Sequence, residues 1–366
     1  MLLDNETAVQ SSAHLLEAIG WPWSRGMIAV AVVSGYIATS YFFLKFPFWK
    51  KKRQAFRCLH ISHRGGAGEN LENTMTAFRH AATTGTHMLE LDVHLSKDGE
   101  VIVAHDAIFL RTAGREGTIA ETNYFDLPLL KEQLVVDFGT RHTVTGKDND
   151  RKMPLLRQVF EEFPTLPVSV DLKQKSDVLV HKTSELIKEF KREHLTVWGN
   201  FHHIMIEKCY RENSNIPIFF SIRRVLITVL AFWTGFLPFM PIKEQVFSVP
   251  MPSIFLGGDK NFAVGKFSNR IVFWVMDKIM MRKALFDHLK KRGVTVFLWV
   301  LVSKIFQRPK LSSNDVLCSC SISQNNEAEF DRAIALGANG IMTDFPTALR
   351  TYLDKHPELS MTKDEK

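Results

Sequence analysis

Cysteine is scarce: there are four in 366 residues, Cys58, Cys209, Cys318 and Cys320. They are too few and too scattered for a disulfide framework, and no CxxC pair of the zinc-binding kind occurs. That excludes a disulfide-stapled module and points to a reducing compartment. No tandem repeat or low-complexity tract is present, which removes solenoids and disordered arrays. An acidic surplus is also missing, because 46 Lys and Arg face 39 Asp and Glu for a net charge of +7. No run mixes basic residues with stacking aromatics in a nucleic-acid-binding motif, so that reading of the positive charge is set aside. Much of the excess sits in Lys50, Lys51, Lys52, Arg53 and Arg57, beside an apolar segment. That placement suits anionic lipid headgroups.

What is present is enough for a full core: 45% of the side chains are hydrophobic and 23% charged. The length fits one large barrel or two average domains. Residues 26–44 carry no charge. At about 1.5 Å per residue they cover roughly 28 Å, near the hydrocarbon thickness of a bilayer, so they are expected to form a transmembrane helix. The run is longer than the core of a usual signal peptide, starts late, and is followed by bulky and basic residues. Acids precede it (Asp4, Glu6, Glu17) and the basic run follows it. The positive-inside tendency therefore places the C-terminal body in the cytosol. An N-x-S/T acceptor, Asn5-Glu6-Thr7, lies on the expected outer side. The final Lys363-Asp364-Glu365-Lys366 resembles an endoplasmic-reticulum retention tail with the wrong last residue.

From residue 59 onward, short β-branched runs alternate with longer amphipathic stretches, the pattern of repeated βα units. Strands are expected at 59–62, 88–94, 101–105, 168–173, 195–199, 216–221, 294–301 and 340–343, and eight strands suggest a closed (β/α)8 barrel of the TIM type. Helices are expected at 74–84, after an Asn-Thr cap, and at 176–193. The expected organisation is a tail (1–25), an anchor (26–46), a basic linker (47–58), a barrel (59–355) and a polar tail (356–366). Two stretches break the rhythm, both after strand C-terminal ends, where such barrels carry their chemistry. Residues 225–241 are apolar and aromatic, with Gly235 and Pro238 interrupting any long helix. A second membrane crossing there would split the barrel, so the stretch reads either as a buried barrel helix or as an apolar lip dipping into the bilayer. Residues 302–324 are polar and Ser-rich, an insertion after the seventh strand.

Side chains alternate along a strand, so Glu90 and Asp92 point the same way, with His94 next on that face. Two carboxylates one step apart repel unless a cation or proton sits between them, and a divalent metal is the expected answer; a pair of surface acids is the alternative, which an otherwise apolar, central strand disfavours. Glycosidases also pair acids, but on opposite sides of the scissile bond. Asp171 and Lys173 repeat the spacing: Asp171 suits an oxygen-rich Mg2+ or Ca2+ site and Lys173 a phosphate oxygen, though the two could form a structural ion pair instead. His63 with Arg64 ends the first strand, and His105 with Asp106 ends the third. A phosphodiester hydrolase needs a base and an acid, and imidazoles suit both tasks near neutral pH.

The run His63-Arg64-Gly65-Gly66-Ala67-Gly68-Glu69-Asn70-Leu71-Glu72-Asn73-Thr74, then Glu90-Leu91-Asp92, His105-Asp106, Asp171-Leu172-Lys173, Trp299 and the stretch from Gly340 to Thr347 resemble the glycerophosphodiester phosphodiesterase signature. The resemblance covers nearly everything after residue 58. More narrowly, the short anchor, KALFDHL at 283–289 and LPFMPI at 237–242 resemble the membrane-bound, domain-containing members 1 and 3, described as lysophospholipases D. It implies metal carboxylates at Glu90, Asp92 and Asp171, the last where many members have Glu, and an acid/base pair at His63 and His105, with His105 assigned either to the metal or to proton transfer. Arg64 and Lys173 match phosphate-binding positions, and Glu72 would support the metal site or cap the helix after it. Leu71 replaces a common proline. Residues 302–324 intervene between Trp299 and Asn325, where members run straight on, and are expected to impair activity. The implied function is hydrolysis of a lysophospholipid to lysophosphatidic acid and the headgroup alcohol, at the membrane of the endoplasmic reticulum or perinuclear region. A phosphodiesterase for soluble deacylated substrates and an inactive membrane scaffold are the other readings.

Overall fold

The computed structural model describes residues 26–49, 51–52, 56–136, 142–256, 267–300 and 320–359. They fall into two compact units, one of the described residues up to 49 with 230–241 and the other of those from 51 to 229 and from 242 to 359.

In the first unit, α1 (Gly26–Lys45) is 20 residues long with a mean hydropathy of 1.8 and is almost wholly exposed. At about 1.5 Å per residue it reaches roughly 30 Å, long and apolar enough to cross a membrane. Tyr36 donates to the carbonyl of Thr234 at 2.8 Å, and Trp49 Nε1 to that of Pro238 at 2.7 Å.

The second unit is a parallel barrel. Strands β1 (His60–Ser62), β2 (Met88–Leu95), β6 (Val168–Leu172), β7 (Thr196–Gly199), β8 (Val246–Pro250), β9 (Thr295–Trp299) and β10 (Gly340–Thr343) pair in the order β7-β6-β2-β1-β10-β9-β8. The segment around Ile218 and Phe219 bridges Trp198 of β7 and Val246 of β8 in parallel and completes the ring. These strands bury both faces, which is why they read as near-continuous apolar runs. In β2, Leu89, Leu91 and Val93 are fully buried in the core, while Glu90, Asp92 and His94 alternate with them.

The strand count of eight stands, but one member differs. Residues 101–105 do not form a barrel strand: β3 (Val101–Val103) returns antiparallel along the end of β2. Only residues 96–100 connect the two, with Gly99 at φ 83°, too short for a parallel crossover and suited to a hairpin. The true eighth strand is β8, whose central Ser248 and terminal Pro250 hide it in the sequence. A small antiparallel pair, β4 (Gln133–Val135) and β5 (Thr143–Thr145), lies between β3 and β6 in sequence and packs a second core that includes Leu71, Ile102, Phe109, Leu134 and Val144.

Helix α2 (Met75–Thr83) begins at Thr74, whose hydroxyl accepts from the Ala77 amide at 3.2 Å, so Thr74 and not Glu72 is the cap. Helix α5 (Asp177–Glu189) is capped by Ser176 and ends four residues earlier than expected. Helix α7 (Ile222–Trp233) has 12 residues, about 18 Å, too short to span a bilayer. Of the stretch 302–324, residues 302–319 lie outside the described residues, and residues 320–324 belong to helix α11 (Cys320–Leu336) rather than to an irregular loop.

Candidate active site at the C-terminal end of the barrel

Beyond Ser62 the chain turns sharply. Arg64, Gly65 and Gly66 all have positive φ, at 50°, 76° and 98°. A Cβ on Gly65 would meet Phe78 at 2.7 Å and one on Gly66 would meet Pro346 at 2.7 Å, so the two glycines let the turn press against α2 and the start of the last helix. Arg64 is a non-glycine residue in the left-handed region, a strain held in place by bonds on both sides. Its amide donates to Glu90 Oε2 at 2.9 Å and its carbonyl accepts from the Asn73 amide at 2.9 Å.

The register of β2 against β6 sets Glu90 beside Ser169 and Asp92 beside Asp171. Lys173 Nζ lies 2.9 Å from Asp92 Oδ1 and 2.6 Å from Asp171 Oδ2. Asn73 Nδ2 donates to Asp92 Oδ2 at 2.9 Å, and Arg64 Nε lies 3.5 Å from the same oxygen. Arg64 also binds Glu72 Oε1 at 3.0 Å, and Glu72 takes two more bonds from Arg111, which in turn grips Asp106. His105 Nδ1 donates to Asp106 Oδ1 at 2.6 Å. His63 Nδ1 donates to Asp344 Oδ1 at 2.6 Å, and its Nε2 is 3.9 Å from Glu90. Trp299 stacks on the His63 ring with centroids 6.2 Å apart, and its own Nε1 is fixed by Ser248 at 2.7 Å.

One solvent-connected cleft is lined by all seven sequence-predicted residues, His63, Arg64, Glu90, Asp92, His105, Asp171 and Lys173. His94 is not among them; its ring is buried against the His105 carbonyl at 3.0 Å. Asp106, Arg111, Asp344 and Ser248 were given no role from the sequence. Asp344 directly follows β10, and a barrel residue in that position is a candidate on its own. Arg111 had no sequence signal, because its arrival depends on how the chain between β3 and β6 folds.

Six carboxylates (Glu72, Glu90, Asp92, Asp106, Asp171 and Asp344) surround three permanent cations (Arg64, Arg111 and Lys173). Burial drives Glu90 up to about 7, with the Asp92 charge adding to it. Burial also raises Asp171, against the pull of Lys173. Burial would raise Asp92 as well, but Lys173 and Arg64 hold it well below the carboxylate range. Burial alone would push His63 down; Asp344 and Glu90 outweigh it and hold the imidazole above its ordinary value.

A divalent cation fits this donor set in kind. The oxygens are hard, Asp171 Oδ1 and Asp344 Oδ2 are buried without a hydrogen-bond partner, and the acids outnumber the cations. No cage is preassembled: among the described residues, no three His, Cys, Asp or Glu side chains converge on a metal position. Lys173 stands between Asp92 and Asp171, and His105 is turned to Asp106.

Barrel, turn and cleft define a phosphodiesterase, and the chain belongs to the glycerophosphoryl diester phosphodiesterase family, which it matches over residues 63–348. Human lysophospholipase D GDPD1 is 46% identical over 326 residues, 88% of this chain and 96% of that protein. Human lysophospholipase D GDPD3 is 34% identical over 340 residues, 91% of this chain and 98% of that protein. The crystal structure of a putative glycerophosphoryl diester phosphodiesterase from Silicibacter pomeroyi superposes with a TM-score of 0.54 at 16% identity, covering 81% of this chain and 93% of that one, and supports the fold.

Proposed function

We propose that the protein is a membrane-anchored, divalent-metal-dependent lysophospholipase D, which cleaves the headgroup side of a lysophospholipid to give lysophosphatidic acid and an alcohol such as choline or ethanolamine. The observation that carries this is the convergence of two imidazoles, two cations and three carboxylates in one cleft. Glu90, Asp92 and Asp171 would hold the metal, with His105 as a further ligand or else as a proton carrier; when bound, Mg2+ or Ca2+ supplies positive charge to the phosphoryl oxygens. Arg64 and Lys173 bind the phosphate. One imidazole of the His63/His105 pair takes the proton from the glycerol 2-hydroxyl as that oxygen attacks phosphorus. The other protonates the departing headgroup alkoxide. Water then opens the cyclic phosphate. A lysophospholipid carrying its acyl chain at position 1 has the free 2-hydroxyl this route needs, and a diacyl lipid lacks it.

Asp344 fixes which nitrogen of His63 meets the substrate, because the bond at Nδ1 leaves Nε2 for the cleft. The stripe Ile222, Leu226, Leu230, Trp233 on α7, continued by Phe236, is more than half exposed at every position and supports the reading of 225–241 as an apolar lip. The basic run after α1 supports a cytosolic barrel, and the membrane proposed is that of the endoplasmic reticulum or the perinuclear region.

The test is choline release from lysophosphatidylcholine by the purified full chain. Release is expected with Mg2+ or Ca2+, and to vanish in excess chelator and in Asp92→Asn. Undiminished release in chelator would refute the metal dependence.

A further inference from the structure

Helix α9 (Phe267–Met280) has no place in the regular barrel plan. The helix that packs on β9 and precedes it is α10 (Lys283–Lys291), so α9 belongs to the connection that leaves β8 at Pro250, the strand end carrying Ser248 into the cleft. The inner side of α9 is well satisfied: Phe273 stacks on Phe255 with centroids 4.8 Å apart, and buried Asp277 takes two bonds from Arg332 at 2.7 Å.

The outer side is the reverse of a normal solvent face. Ile271, Val272, Trp274, Val275 and Ile279 are each more than a third exposed, Trp274 at 55%. At about 100° per residue they share one arc of roughly 160° with Lys278. Arg270, Lys278 and Arg282 are exposed around this stripe, and the only acid on the helix, Asp277, is turned inward; Lys283, which opens α10, is already paired with Asp287 at 2.7 Å. An apolar stripe with a tryptophan and a cationic border, free of exposed acids, matches an interfacial helix lying on an anionic bilayer.

We propose that α9 is a second membrane contact, an interfacial helix that seats the connection after β8 on anionic lipid headgroups beside the cleft. The occupant is lipid because α1 tethers the chain at a bilayer, which raises the local concentration of lipid surface far above that of any free partner, and because the border charge is complementary to anionic headgroups. The inference rests on the membrane-anchor reading of α1.

The experiment uses the full chain with Cys318→Ser and Cys320→Ser, and a single added cysteine labelled with pyrene at Trp274, at Val33 on α1, or at Val178 on α5. Each labelled protein is reconstituted into vesicles of phosphatidylcholine and phosphatidylserine containing a nitroxide-labelled lipid. Quenching at 33 reports the anchor alone, so the two readings fail separately. Expected are strong quenching at 33 and quenching at 274 several-fold above that at 178. Arg270→Glu with Lys278→Glu should reduce the signal at 274 and leave that at 33 unchanged. Quenching at 33 with none above the level of 178 at position 274 overturns the proposal. Pyrene excimer emission at 274 without quenching assigns the stripe to a second copy of the chain, and also overturns it. No quenching at 33 removes the anchor and the proposal together.

Discussion

Asp344→Asn is predicted to lower kcat for lysophosphatidylcholine by about 10- to 150-fold with little change in KM. The substitution keeps shape and removes charge from a contact in which both partners are buried, the Nδ1 to Oδ1 bond of 2.6 Å. A hydrogen bond with a charged partner contributes roughly 1.5–3 kcal/mol, and each 1.36 kcal/mol of barrier is about tenfold in rate. Trp299 still stacks on the ring, so His63 is mis-poised and not lost. Asp344 raises the proton affinity of His63, and its neutralisation lowers it. If His63 acts as the acid, the alkaline limb of the pH profile moves to lower pH in the variant. A double-mutant cycle separates positioning from general damage: on a His63→Asn background, Asp344→Asn should cost almost nothing more. Equal kcat in the single variant and the parent, or full additivity in the double, would refute the role.

Three further expectations concern the rest of the chain. Joining Leu301 directly to Asn325, which also trims the first five residues of α11, should raise turnover with the barrel still folded, because loop length costs only about 0.6 kcal/mol per doubling while a misplacement of about 1 Å near a phosphate can cost roughly a hundredfold; equal rates in the two forms would show the insertion to be neutral. Burial, with His87 and Arg350 adding, depresses His60 to about 3, so the folded chain stays neutral there while the unfolded chain takes up a proton below pH 6.5. Stability should therefore fall as pH drops, by about 2 kcal/mol at pH 5 relative to neutral pH, and thermal unfolding of His60→Gln should show a shallower pH dependence; an unchanged slope would contradict this. Protease added to intact microsomes should digest the barrel, and a protected barrel would reverse the assigned orientation.

The acid pair on β2 was legible because a strand's period of two leaves no other arrangement for Glu90 and Asp92. Residues 74–84 were legible because a threonine before an amphipathic run is a strong start signal, and α1 because uncharged length is itself the constraint. What failed was non-local. The parallel or antiparallel sense of residues 101–105 depends on a five-residue turn, and β8 carries a proline and a polar residue among five. Arg111 reaches Glu72 and Asp106 from a segment held by a second small core around Phe109 and Leu134, a non-local arrangement. Lys173 was assigned to a phosphate, with an ion pair to Asp171 left open; its contact with Asp92 on the neighbouring strand was not foreseen. The exposed stripe of α9 has the composition of a core helix, and only folding shows that it faces outward.

The most direct test of the central claim is product identification by mass spectrometry for the purified full chain with Mg2+ or Ca2+, given lysophosphatidylcholine and glycerophosphocholine side by side. Lysophosphatidic acid and choline should accumulate from the first substrate faster than glycerol phosphate and choline from the second. Phosphocholine with monoacylglycerol, or free fatty acid, or preference for the deacylated substrate, would contradict the assignment.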